Sequence, residues 1–455
     1  QQNPCKIFYT CRPEFDTAED KLKFLATNNF TQIHFQHIIP DNNFNWINLA
    51  DTDFDNLLPL INKDTKNTKI QEDEKAVFKL FSLGIVTARD EWVYDISQNN
   101  LTNKINYFYN IYYQEQLRWE ESNNLNHPKI SINDFVDRNI KWTSELEQHL
   151  IRGSKLEYNS NCLSIGLYRP YFKQHLYYDK IIVHRLCQQD SIFPINSNCE
   201  NLIITFTDTG SQKPFMSLAS NTIPDLHLNG AACGTQCLPL YRYDKEGKRI
   251  DNITDWGLKQ IQTHYQDETI TKIDIFHYTY AVLHNPEYRK KYELNLKREF
   301  PRLPYYENFP KWVNWGKQLM EIHINYETVT PYNLTRLDIP LKDNQKTVKV
   351  KLKADKNKSV IILDDITTLT EIPATAWEYL LGNRSALEWI LDQYKEKKPK
   401  DPTIAEKFNT YRFADYKEQV IDLLMRVCTV SVETMKIIKE MSESGSPGFE
   451  DFQDF

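Results

Sequence analysis

The chain has 455 residues, 40% hydrophobic and 26% charged, which suits two or three soluble domains with real cores. A net charge of −7 excludes a bulk polyanion binder of the histone kind, but a local basic patch stays compatible with DNA. The 12 glycines set against 26 tyrosines point to a β-containing protein with large aromatic surfaces, not to a nucleotide-binding α/β enzyme.

Residues 6–9 read as a strand, with no initiating methionine before them. Thr17-x-x-Asp20 opens a short helix carrying Leu22 and Leu25. Residues 30–39 read as a second strand, and Asn42 to Trp46 as a loop. Residues 1–62 therefore look like the closing part of an α/β domain, and the chain like a piece of a longer polypeptide. Residues 63–74 suit a connector.

Residues 78–95 read as strand, tight turn, strand. Gly84 permits backbone angles or close approaches that a side chain would block. Arg89 then sits at the turn, either paired with Asp90 or Glu91 or offered to a phosphate or guanine edge. The aromatic stretch 101–122 predicts a buried helix, and Ser131-Ile-Asn-Asp134 caps another running to about Leu150.

From 160 to 250 the pattern becomes short strands: Leu163–Leu167, Lys180–His184, Leu202–Thr207, Pro214–Leu218 and Leu238–Tyr243. Helix returns at 271–300, a Pro- and Tyr-rich bend follows at 301–310, and a helix spans 312–323. The alternation of 347–353 turns Val348, Val350 and Leu352 inward and Lys349, Lys351 and Lys353 outward, which with Val360–Leu363 predicts a hairpin. Helices are expected at 374–396, at 414–427 and, capped by Ser431, at 432–441. The acidic tail 442–455 reads as flexible. The fold class is α+β: a short-strand region with helical insertions at 63–310, then a hairpin and helical part at 311–441.

Much chemistry is absent from the sequence. There is no Gly-x-Gly, hence no dinucleotide or usual methyl-donor loop, no P-loop and no Gly-x-Ser-x-Gly elbow. The eight cysteines are scattered, and Cys233 with Cys237 lacks the second pair that a zinc site needs. His34-x-x-His37 on a strand would point to opposite faces. Pro224-Asp225 with Glu246-x-Lys248 has the order of a Mg²⁺ nuclease, although 244–249 reads better as a polar turn. No apolar run approaches the roughly 18 residues of a membrane helix, and no leader peptide opens the chain, so a cytoplasmic, reduced setting is expected.

Basic residues interleaved with aromatics are the positive signal: Tyr168 to Lys173, Leu240 to Tyr243, and Asn285 to Arg302. Arginine over an aromatic plane suits phosphates and base edges. For any one such site, a solvated helix face with snorkelling stems is the competing reading.

Together these phrases resemble a known family. Gly84-Ile-x-Thr-x-Arg-Asp-Glu-Trp-Val-Tyr94, Tyr168-Arg-Pro-Tyr171 with Tyr177-Tyr178-Asp179, and Pro224-Asp-Leu-His227 leading to Pro239-Leu-Tyr-Arg-Tyr243 are similar to the specificity region of type I single-polypeptide (type ISP) restriction–modification enzymes. So are Trp377-Glu-Tyr-x-Leu-Gly-Asn-Arg384-Ser-Ala-Leu-Glu-Trp389 and Thr429-Val-Ser-Val-Glu-Thr434. The phrase from Tyr278 to Pro304 is similar to one found broadly in adenine methyltransferases with attached target-recognition domains.

The resemblance implies a target-recognition region that reads double-stranded DNA and positions an adenine for an upstream N6-methyltransferase domain. Residues 1–62 would be the end of that domain, and helicase and nuclease domains would lie further upstream. S-adenosylmethionine, ATP and Mg²⁺ are implied for the full-length enzyme and none for this chain, which looks non-catalytic by itself. The expected DNA contacts are Arg89, Arg169, Lys173, Arg242, Arg289, Lys290, Arg298 and Arg302. Arg89 and Arg242 are expected on bases, and the 289–302 cluster on phosphates or against the methyltransferase. The rival readings are the Asp225/Glu246/Lys248 nuclease and an aromatic-rich protein- or carbohydrate-binding module.

Overall fold

The computed structural model describes residues 5–12, 17–40, 44–47, 50–124, 131–195, 197, 199–340 and 347–444. The tail 445–455 and part of the loop expected at 42–46 lie outside the described residues. The architecture is mixed α+β. Among the described residues, three four-stranded sheets and several two-stranded ribbons are held between helices, over three hydrophobic cores.

The first core is mostly helical. Helix Lys272–Val282 crosses helix Phe309–Ile324 so closely that a Cβ at Gly316 would lie 1.8 Å from the His277 carbonyl oxygen. Glycine is required there by contact, not by backbone angle. Phe54 near one end of the chain and Met441 near the other share this core. The second core packs the sheet of Thr335–Asp338, Thr367–Thr370, Val360–Asp364 and Val350–Asp355 against the long helix Phe413–Glu443. The third gathers helix Gln98–Asn124 and the antiparallel pair Leu163–Arg169 and Phe172–Tyr177.

Several elements match the sequence reading. Thr17 and Asp20 form a reciprocal capping box on helix Ala18–Thr27. Strand Ile7–Tyr9 forms and pairs with Gln36–Ile38, although the latter is shorter than 30–39 and follows a 3₁₀ turn at Phe30–Gln32. Val350–Asp355 pairs with Val360–Asp364 as expected; Leu352 is buried, whereas Val348 is exposed.

Others are corrected. The stretch 78–95 is not a hairpin. Ser82–Leu83 and Tyr94–Asp95 belong to different sheets, joined through the one-turn helix Asp90–Val93. Trp92 and Val93 are consecutive and both buried, which an alternating strand facing solvent on one side cannot provide. The helix from 131 splits into Ile132–Phe135 and Ser144–Ile151, because Glu115 and the Asp137 side chain capture the backbone amides of Asp137 and Asn139. Lys180–His184 is a turn, with Asp179 Oδ1 accepting from the amides of Ile181 and Ile182.

The stretch 271–300 is three helices, one restarted by the Asn285-Pro286 cap. Residues 374–396 divide into helices Ala374–Glu378 and Ala386–Gln393 around a Leu380–Ser385 ribbon. The last two expected helices are one, Phe413–Glu443. Ser431 does not cap, because its hydroxyl donates 2.7 Å to the Val427 carbonyl one turn back.

Candidate nucleic-acid interface

Three of the phrases singled out in the sequence meet at one place. Ile85 N–H donates to the Pro224 carbonyl (2.9 Å), and Leu226 N–H donates back to the Ile85 carbonyl (2.9 Å). A Cβ on Gly84 would sit 2.6 Å from the Asp225 backbone, so the close approach expected of this glycine is realised. Asp225 N–H donates to the Leu167 carbonyl (3.1 Å), and Arg169 reaches the Asp225 carboxylate at 3.1 Å. The Tyr168 hydroxyl donates to Asp90 (3.0 Å), which also accepts from Thr87.

Three further phrases join through hydroxyls. Tyr171 and Tyr379 are 3.0 Å apart, and Tyr379 lies 3.3 Å from His323 Nε2. His323 Nδ1 is bonded to Tyr280 (2.5 Å) and its Nε2 to Thr434 (2.8 Å). Burial, with Arg289 adding to it, pushes His323 down to about 3, so the ring is neutral. Most of the recognisable motifs are thus a polar-laced junction between cores.

The expected DNA contacts separate into groups. Arg89 is only 3% exposed. Its guanidinium donates to the Ile182 carbonyl (2.9 Å) and the Thr143 hydroxyl (2.7 Å) and lies over Phe108. It neither pairs with Asp90 or Glu91 nor faces outward, and both sequence alternatives are corrected. Burial pushes it down to about 10. Glu91 instead accepts from the amides of Lys400 and Asp401.

Arg289 is likewise turned inward: its Nε donates 2.6 Å to the Leu283 carbonyl, and burial holds it near 10. Arg302 is bound to Asp55 and Glu299 (3.4 and 3.7 Å). Around it, Lys291 meets Asp53 at 2.5 Å and Lys297 meets Glu293 at 2.7 Å. The densest basic stretch of the sequence is therefore largely neutralised within the fold, although Lys290 and Arg298 are exposed.

Lys173 pairs with Glu327 at 2.5 Å over the Tyr326 ring. Arg242 is half-buried on strand Tyr241–Tyr243, and its Nε has no partner. Arg169 stacks on Tyr168.

The nuclease-like trio does not assemble as a metal site. Asp225 is 2% exposed and committed to Arg169 and the His227 amide, whereas Glu246 and Lys248 lie on an exposed turn organised by Asp244. His34 and His37 are both exposed, the latter against Phe8. Among the described residues no group of three or more His, Cys, Asp or Glu is placed to hold a metal. Among the described residues, this trio therefore does not gather around one Mg²⁺ position.

Sequence reasoning did not single out Lys213, Arg384 or the lysines of 395–400, which are cationic side chains the fold brings near one another. Arg384 lay inside a quoted phrase, and four lysines in six residues were a legible signal at 395–400.

This arrangement of sheets, junction and basic loops defines a specificity domain. The model of the type ISP C-terminal specificity domain matches residues 76–423, and the chain belongs to that family. Its structure is similar to a chain of the cryoEM structure of the DrdV–DNA complex, with 44% identity and a TM-score of 0.82 over 96% of this chain and 43% of that one. It is also similar to a nuclease-deletion mutant of the type ISP restriction–modification enzyme LlaGI in complex with a DNA substrate mimic (29% identity, TM-score 0.75, 96% of this chain and 33% of that). A third is the ATP-dependent type ISP enzyme LlaBIII bound to DNA (26% identity, TM-score 0.72, 91% and 26%). The chain spans less than half the length of each. No curated protein sequence matches it. Among the described residues no helix is long and apolar enough to cross a membrane.

Proposed function

We propose that this chain is the DNA-reading part of a type ISP restriction–modification enzyme, binding duplex DNA sequence-specifically and presenting the target adenine to a methyltransferase domain of the same polypeptide. One observation carries the reading: 96% of the chain follows the fold of a DrdV–DNA complex chain at 44% identity. Residues 1–62 are the end of the methyltransferase domain. In support, Phe8, Leu22, Leu25, Phe30 and Phe44 all stand exposed, as an apolar surface cut from a larger body would. S-adenosylmethionine, ATP and Mg²⁺ belong to the upstream domains, and the enzyme works in the cytoplasm.

Within the expected contact set, Lys173, Arg242, Lys290 and Arg298 are the DNA-facing candidates. Arg89, Arg289 and Arg302 serve the fold, as does Arg169, held by Asp225 and stacked on Tyr168. Arg242, half-buried on strand Tyr241–Tyr243, is the best base reader of the set.

The test is selection of the chain from a random duplex pool at about 0.1 M salt, followed by sequencing. Enrichment of one asymmetric, adenine-containing site is expected. Binding without enrichment would remove the specificity role, and no binding at low salt would remove the DNA role.

A further inference from the structure

The structure leaves positive charge in excess somewhere other than the 289–302 stretch. The Asp392 carboxylate, on helix Ala386–Gln393, faces three cations: Arg384 at 3.1 Å, Lys395 at 3.6 Å and Lys397 at 3.4 Å. Burial works to raise that carboxyl, yet Lys397, Arg384 and Lys395 hold it below the usual carboxylate range. All three cationic side chains are more than two-fifths exposed. Exposed Lys398 and Lys400 follow in the same loop.

The cluster continues along one surface. Arg384 lies over the Trp389 ring (5.1 Å). The Trp389 ring edge also approaches Gly230, where a Cβ would be 3.4 Å from Cη2 and 2.6 Å from Lys213 Nζ. Lys213 donates to the Asn229 carbonyl. Its ammonium is held below its ordinary value by burial and by the nearby charges of Arg384 and Arg169, with Cys233 acting the other way.

Three segments thus bring cations together: Arg384 and the 395–397 loop share the one Asp392 carboxylate, and Lys213, bonded to the Asn229 carbonyl, lies beside them with no carboxylate of its own among the described residues. By contrast, Lys351, Lys356 and Lys358 of the C-terminal hairpin have their own partners in Asp365, Glu388 and Asp355. At one end of the strip, Lys395, Lys397 and Lys398 stand on one side of a cleft of about 270 Å³ that Asp90, Glu91 and Asp95 also line, so the phosphate path follows the lysines and not the cleft itself.

We propose that Lys213, Arg384, Lys395 and Lys397 form a phosphate-tracking strip that grips the backbone of duplex DNA. This deepens the DNA-reading role proposed above and rests on it. Cations drawn close against their mutual repulsion are stabilised by an anion, and a row of them suits a row of phosphates. The strip supplies affinity and register and is indifferent to base identity.

The experiment measures affinity of the whole chain for a mixed-sequence duplex across a salt series. The variants are K395Q/K397Q, whose side chains are exposed, and K213Q/K395Q/K397Q; K436Q/K439Q on the outer face of the last helix is the control. Unchanged thermal midpoints certify folding, and the double variant keeps the test valid if K213Q unsettles its loop.

The expected result is a log–log salt slope flatter by about one unit per lost contact, equally for all sequences, with the control unchanged. A wild-type chain that binds steeply while the variants keep its slope overturns the strip but leaves the DNA-reading role standing. A wild-type chain that binds no duplex overturns both.

Discussion

Arg169 and Asp225 form an ion pair at 3.1 Å that ties the turn after strand Leu163–Arg169 to the loop after strand Ile223–Pro224. Burial outweighs the arginine and pushes the Asp225 carboxyl up to about 7, with Asp90 adding to the rise. A carboxyl raised on folding holds its proton more tightly in the native state. Its stabilisation is complete below its ordinary value of 3.8 and is lost as pH rises through 7. Asp225→Asn should remove that term, so on going from pH 7 to pH 5 the variant should lose about 2 kcal/mol more stability than wild type, read by urea denaturation at each pH.

His323 works in the opposite direction over nearly the same range. Its folded value of about 3 lies below the ordinary 6.5, so its stabilisation is complete above 6.5 and lost as pH falls toward 3. Between pH 7 and 5 the loss should be about 2 kcal/mol. His323→Gln should be less stable than wild type at pH 7, having lost its bonds to Tyr280 and Thr434, and should also lose less on acidification. His284, which burial likewise depresses, keeps part of the acid sensitivity in that variant. In wild type the Asp225 and His323 terms offset each other, so the single substitutions are more informative than the parent profile.

Arg89→Met separates a structural arginine from a DNA-reading one. The Ile182 carbonyl and Thr143 hydroxyl lose their donor, and the expected cost is about 1–3 kcal/mol. The salt slope of DNA binding should not move at temperatures where the variant is folded. A flattened slope with undiminished stability would place Arg89 on the duplex.

Gly316→Ala tests the closest helix crossing. The added methyl would overlap the His277 carbonyl, and helix Lys272–Val282 can retreat only by opening the first core. A loss of at least about 1–3 kcal/mol in stability is expected from overpacking. Elsewhere in a helix the same exchange would gain stability by propensity alone.

Local elements were legible in the sequence where local physics sets them. The Thr17–Asp20 box, the helix around 312–323 and the lysine-alternating hairpin each follow from a few neighbouring residues. The hairpin expected at 78–95 failed because its two strands pair into different sheets with partners distant in sequence, and the helix expected at 131–150 broke where the Glu115 side chain captured the Asp137 amide.

The family and the mixed α+β class were written in the sequence itself, because its phrases carry the residues that build the junction between cores. Which cations are left for a ligand was decided only by the tertiary structure. Lys291 finds Asp53 across 238 residues and Arg302 finds Asp55 across 247, while Arg384, Lys395 and Lys397 share one aspartate. An ion pair depends on distance in space, and distance along the chain does not report it.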